Sequence, residues 1–310
     1  MTNMLYTPEQ AARSTIAALR HLTVLPRTVR QDYSTEFVAG RGQTVNVLAP
    51  TRLSDEGSSQ SEARVYSKAD REARREIVFD EIAQDYVSVS MTDQVYKAVR
   101  LPDDFATFDL TSLEQQVLRP MAESVVDGLT SPLVDVMTGI DTDANIPEIA
   151  VDGSNVRQAL IQARRVLNSR KVPQAGRVIA VGPGVEAAFL SDDLLQKANE
   201  SGSTGVLREA TIGRLFGFDI VADPALPEDY AVAYDRDAFA LVTRPSRAPE
   251  GAAFAATRAQ DGFAMRYIQH YSPIHLEDQA VLDAFVGAAV LDERRAVSLT
   301  LGDGVGGEGN

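Results

Sequence analysis

Residues 77–129, IVFDEIAQDYVSVSMTDQVYKAVRLPDDFATFDLTSLEQQVLRPMAESVVDGL, decide the fold of this chain. Val87, Val89 and Met91 alternate with Ser88 and Ser90, the period-two pattern of a strand with one buried face. The strand turns a polar corner at Thr92-Asp93, and Pro102-Asp103-Asp104 breaks the strand run. Thr111 and Glu114 then stand at capping-box spacing. Leu113, Val117, Met121, Val125 and Leu129 follow at intervals of four, one stripe of a helix. Pro120 falls inside that stripe and should kink or interrupt it, because proline removes a hydrogen bond and clashes one turn back. A helix over residues 111–137 would be about 40 Å long, which suits a strut. The segment carries no nucleophile motif, metal cluster or phosphate loop, so its work is its shape.

Composition sets the outer bounds. At 310 residues the chain can form one large domain or two medium ones. Hydrophobic residues make up 44%, enough with both periodicities present for a packed core. The net charge of −14 weighs against nucleic acid as a bound ligand, since phosphate binding needs a basic footprint. There are no cysteines, which excludes disulfides, thiolate metal sites and cysteine nucleophiles. The first residues, MTNMLYTPEQ, lack the basic and apolar regions of a secretory signal. No apolar run approaches the ~20 residues of a membrane span, so no membrane partner is expected.

Outward from the opening segment the pattern splits. Thr7-Pro8-Glu9-Gln10 starts a short helix reaching Leu22, with Ala12, Ile16 and Leu19 on one side and Pro26 beyond it. Residues 28–50 read as extended, with Val45 and Val47 alternating around Asn46 and a turn at Gly40 and Gly42. Residues 52–76 are polar, with Lys68, Arg71, Arg74 and Arg75 set among Asp70, Glu72 and Glu76. They form either a solvated hairpin or helix face, or an arm whose salt bridges reach a neighbouring subunit. After a loop over residues 139–153 the chain turns α/β. It gives a helix over 154–168 (Val156, Leu160, Ala163 and Leu167 inward), a buried strand over 177–181 and a helix over 185–195. A glycine loop at 202–205, a strand or hairpin over 212–227 and two short strands around Asp235-Arg236-Asp237 follow. The last part is all strand: Phe263, Met265 and Tyr267 alternate, residues 280–291 form an apolar run, and Val297, Leu299 and Leu301 alternate again.

Two patterns could carry chemistry. Gly182, Gly184 and Ala187 fit G-x-G-x-x-A after a buried strand, a turn that lets amides approach a pyrophosphate at a helix N-terminus. The motif lies mid-chain, and no second strand with its ribose-binding acid follows, so a plain strand-to-helix turn is the stronger reading. His270, His275, Glu277 and Asp278 cluster around Pro273, where strand alternation should send them to different faces, short of the convergence a metal needs. His21 stands at a helix end, which suits the helix dipole. No catalytic residue, cofactor site or metal site is expected, and the chain is read as a non-enzyme.

The order of these parts resembles the major capsid proteins of tailed bacteriophages with the Hong Kong 97-type shell fold. The branch it resembles most is that of the coat proteins of Salmonella-type podoviruses. VRQDYSTEFVAGRGQTVNVLAP resembles the N-terminal arm, IVFDEIAQDYVSVSMTDQ the return strand of the extended loop, and VLRPMAESVVDGL the spine helix. RVIAVGP, IGRLFGFDIVADPALP and AYDRDAFALV resemble the axial domain, and VGAAVLDERRAVSLTL the closing peripheral strand. The domain inserted in some relatives has no counterpart here. The resemblance implies an α+β fold divided into an N-terminal arm (1–50), extended loop (51–86), peripheral domain with spine helix (87–150), axial domain (151–261), peripheral closing strands (262–301) and disordered tail (302–310). It further implies a shell protein of the virion, assembled in the host cytoplasm into hexamers and pentamers around double-stranded DNA, without sequence-specific binding. Scaffolding protein, portal and decoration protein are the implied partners. Lys68, Arg71, Arg74, Arg75 and Pro120 are the candidate assembly residues. The alternatives are an encapsulin-like compartment shell and a nucleotide-binding oxidoreductase using the Gly182 turn.

Overall fold

The computed structural model describes residues 24–31, 44–48, 52–53, 65–77, 79, 82–83, 86–91, 93–104, 112–140, 149–152, 155–191, 211–249, 251, 254–260 and 263–302. The helix expected over residues 7–22, the turn at Gly40 and Gly42, the loop at 202–205 and the tail beyond Gly302 lie outside them. The fold is α+β. Most strands join one of two sheets, which are held together by a long helix.

The opening segment folds as its pattern requires and then divides. Strand β4 (Tyr86–Ser90) pairs antiparallel with β1 (Thr44–Leu48), Val87 facing Val47 and Val89 facing Val45. A two-residue pair, β2 (Arg52–Leu53) with β3 (Ile82–Ala83), lies outside it. After Met91 the chain changes sheets. β5 (Asp93–Pro102) pairs along its whole length with β14 (Glu277–Val290). β14 is the spine of a five-stranded sheet that also holds β11 (Phe239–Arg244), β12 (Phe254–Gln260) and β13 (Phe263–Ser272).

The expected helix follows. Its predicted cap at Thr111 lies outside the described residues; one residue on, the Ser112 hydroxyl accepts from the Gln115 amide. The chain then makes a π-helical turn (Glu114–Leu118) before entering α2 (Arg119–Thr138); α1 (Lys68–Glu72) belongs to the arm described below. Pro120 stands in the first turn of α2. Its missing N–H and bulky ring are tolerated there, and the wide turn lies where an unbroken α-helix would have needed that N–H. The interruption expected at Pro120 is therefore a change of helical pitch. Val117, Met121, Val125 and Leu129 are buried as their spacing requires. α2 packs on β5 and β14. At its far end the Tyr230 hydroxyl donates to the Met137 carbonyl at 2.7 Å, and burial pushes that hydroxyl up to about 12.

The second sheet runs β6-β15-β10-β7-β9-β8. Its members are β6 (Ile149–Val151), β7 (Arg177–Val181), β8 (Thr211–Leu215), β9 (Phe218–Ala222), β10 (Tyr230–Asp235) and β15 (Ala296–Leu301). β7 is buried throughout, as a continuous apolar run predicts. Phe216 and Gly217 both have positive φ (48° and 87°), the turn that closes a two-residue hairpin between β8 and β9. α3 (Val156–Ser169) and α4 (Pro183–Ser191) cover one face of this sheet, and α2 lies towards the other.

Strand pairing groups the chain differently from the linear division at residue 261. β11 and β12, expected with the axial part, join the sheet of β13 and β14. β15, expected to close the peripheral part, pairs with β10 and β6. The loop expected over 139–153 contains β6, whose three residues are too few to show a period. The chain crosses between the sheets at two 3-10 turns, Arg236–Ala238 and Glu293–Arg295. Arg295 joins them: its guanidinium lies 2.6 Å from Asp235, 3.3 Å from Asp292 and 3.7 Å from Asp237. Residues 24–31 strap the same junction, with Leu25 and Val29 fully buried. The Leu25 amide donates to Asp223 at the end of β9, and Arg30 bridges to Ala240 of β11.

Candidate assembly surface

The four candidate cations stand together on an arm over residues 65–79. Ser67 caps α1: its hydroxyl accepts from the Asp70 amide, and the Asp70 carboxylate accepts from the Ser67 amide. The Ser67 hydroxyl and amide, followed by Arg75, hold the Asp70 carboxyl below the ordinary carboxylate range. Arg75 reaches Asp70 at 3.1 Å, and the Tyr66 hydroxyl donates to the Arg75 carbonyl at 2.9 Å. Arg74 takes positive φ (47°) to turn the chain back. Lys68 makes an exposed pair with Glu72 at 3.8 Å. Lys68, Arg71, Arg74 and Arg75 are all exposed.

Among the described residues, the contacts that shape this arm are local hydrogen bonds and ion pairs, and none of its described residues is buried. Ordering a residue costs about 1–2 kcal/mol of backbone entropy, while exposed ion pairs return about 0–1 kcal/mol each. These described contacts alone therefore do not offset the order of the arm. The side chains that could offset it are Val65, Ile77 and Phe79, at 86%, 63% and 88% exposure. In the sequence the charge run of Lys68, Arg71, Arg74 and Arg75 stands out more than these apolar flanks. The apolar residues flanking the charge run were the signal that could have found these three. Pro120 is not part of the arm; it is exposed on α2.

The glycine turn has different work. The Gly182 amide donates to the Tyr230 carbonyl at 2.9 Å, and the Gly184 and Val185 amides donate to the Glu228 carbonyl at 3.0 and 3.2 Å. The donors that would hold a pyrophosphate are thus taken by residues 228–230. A Cβ on Gly182 would collide with the Pro227 carbonyl, and one on Gly184 would lie 2.7 Å from the Glu228 carbonyl oxygen. These glycines let two backbones pass closely. Gly182→Ala is expected to lower stability by about 3 kcal/mol, the upper part of the overpacking range, as read from the midpoint of a urea melt.

His270 and His275 are exposed at the β13–β14 hairpin. Glu277 is buried and accepts from Gln279, with Arg100 at 3.7 Å. Among the described residues no group of three or more His, Asp or Glu could hold a metal ion. Likewise, no described helix is long and apolar enough to cross a membrane.

The chain matches the phage capsid protein family over residues 88–297, and it belongs to that family. Solved structures agree on the fold, which is the Hong Kong 97-type. A chain from Mycobacterium phage Che8 is similar at TM-score 0.60 and 19% identity, covering 89% of this chain and 90% of that one. The mature capsid of bacteriophage PhiM1 gives 0.53 and 11%, covering 85% and 83%. A virus-like particle from Pyrococcus furiosus gives 0.52 and 10%, covering 94% and 98%. A comparison with curated protein sequences finds no match.

Proposed function

We propose that this chain is the major capsid protein of a tailed phage, and that its copies close as hexamers and pentamers into an icosahedral shell around double-stranded DNA. The observation that carries this reading is the arm: among the described residues of 65–79 the chain is folded yet none is buried, which is the state expected of a segment that completes its burial on a second copy. In this reading residues 51–86 are the extended loop lying over a neighbour, with Lys68, Arg71, Arg74 and Arg75 at its rim. Residues 1–50 are the N-terminal arm. α2 is the spine helix, the sheet built on β14 belongs to the peripheral domain, and the sheet containing β7 and β10 forms the axial domain at capsomer centres. Closed shells need such self-complementary edges. Scaffolding protein, portal and decoration protein are its further partners, and assembly takes place in the host cytoplasm.

Electron microscopy of the expressed chain, with scaffolding protein supplied, tests the reading. Shells or capsomers are expected; small soluble species alone would overturn it. The likeness to the Pyrococcus furiosus particle favours a second reading, a compartment shell of the same fold. Nuclease-protected double-stranded DNA in purified particles separates the two. Pro120→Ala tests the strut. The subunit should melt within about 0.5 kcal/mol of the parent, as expected of an exposed position, while altered particle diameter or yield reports the lost pitch change.

A further inference from the structure

Away from the arm, one surface runs against the character of the whole chain. Between Gly153 and Val185 there is no Asp or Glu, yet Arg157, Arg164, Arg165, Arg170, Lys171 and Arg177 all fall there. The chain as a whole carries a net charge of −14. α3 covers its sheet with Val156, Ala159, Leu160, Ala163 and Leu167. Some of the cations have internal work. Arg164 donates to the Phe216 carbonyl at 2.9 Å, Arg170 to the Ala296 carbonyl at 3.0 Å, and Arg177 to the Val172 carbonyl at 2.6 Å. Arg157 and Arg165 do not share it. Both are exposed, and among the described residues neither pairs with a carboxylate.

We infer that the outer face of α3 binds the phosphate backbone of the enclosed nucleic acid without reading its bases. The inference rests on the capsid reading above. Arg157 and Arg165 are separated by about 12 Å along the helix, the rise of about three to four nucleotides of one strand. Between and beside them stand exposed Gln158, Gln162 and Asn168, whose amides donate to phosphate oxygens as such side chains do in backbone contacts. The face does not suit a protein partner. Interface cores are apolar and aromatic, and this face offers only Ile161, at 48% exposure. The chain sets its exposed apolar side chains elsewhere, at Phe79, Ile274 and Leu276. The chain's net charge of −14 opposes the same backbone, so the contact is strongly salt-dependent.

The test uses unassembled subunits and a labelled duplex, with anisotropy followed between about 50 and 200 mM salt. The parent chain should bind at the low end. Arg157→Glu with Arg165→Glu should weaken binding about tenfold or more and flatten the log–log salt slope by about 2. Arg157→Lys with Arg165→Lys should keep it. Shells should still form from both variants. Equal duplex binding by the parent and the Glu variant overturns the inference, as does a parent that binds no duplex at low salt. A Glu variant that binds as the parent does but no longer forms shells makes the face a contact between copies, and overturns it too. Duplex binding through this face by a chain that never forms shells upholds the phosphate site and defeats the capsid reading.

Discussion

Asp283→Ala is expected to cost the folded subunit about 3–5 kcal/mol, the usual loss when one partner of a buried pair is removed. Asp283 lies in the middle of β14 at 1% exposure. One oxygen accepts from Arg266 Nε at 2.8 Å. The other accepts from Arg266 Nη2 at 2.9 Å, the Ser246 hydroxyl at 2.6 Å and the Gln94 amide at 2.6 Å. Arg266 also donates to the Arg247 carbonyl. One carboxylate thus ties β5, β13, β14 and the loop after β11. Such a pair contributes little relative to a well-packed apolar replacement, but a half-removed pair leaves a guanidinium buried without its countercharge. Asp283→Asn keeps the shape and some of the hydrogen bonds, so it should lose less than Asp283→Ala. Urea unfolding followed by circular dichroism reads both. Equal stability of all three chains would remove the pair from the account of this sheet.

That aspartate also marks what the sequence conceals. Residues 280–291 read as one apolar run, and periodicity treats a single acid within it as noise. Only the register that sets Asp283 opposite Arg266 and Tyr96 gives it a partner. The strand alternation at Val87 and Val89 and the buried stripe of α2 were legible because each depends on neighbours close in sequence, whereas residues 212–227 read equally as a strand or a hairpin until the positive φ of Phe216 and Gly217 decided it. Sheet membership was not. β10 and β11 look like one hairpin around Asp235-Arg236-Asp237, yet they enter different sheets. Nothing local records that Arg295, some sixty residues on, will pin the crossing. The candidate surface was half legible. The charges of the arm stood out in the sequence, whereas the exposure of its apolar flanks needed coordinates.

Phe79→Asp combined with Ile77→Asp is expected to abolish shell formation while leaving the subunit as stable as the parent, within about 0.5 kcal/mol. Both side chains stand in solvent in the single chain, so the folded subunit has nothing to lose. If they dock on a second copy, each contributes about 1.5–3 kcal/mol per contact when fully buried, and every subunit of a shell makes that contact. Placing carboxylates there adds the cost of burying charge. Reversing Arg71, Arg74 and Arg75 should do much less. Rim ion pairs are worth about 0–1 kcal/mol each and are screened by salt, so that variant should assemble with a shifted salt optimum. Sedimentation and electron microscopy of both variants, beside urea melts of their subunits, give the comparison. Should the charge reversal prevent assembly while the apolar variant forms normal shells, the arm would act through its cations, and the apolar residues would be incidental. Magnitudes favour the opposite result, because the arm holds its cations in water and leaves about two large apolar side chains per copy to be covered.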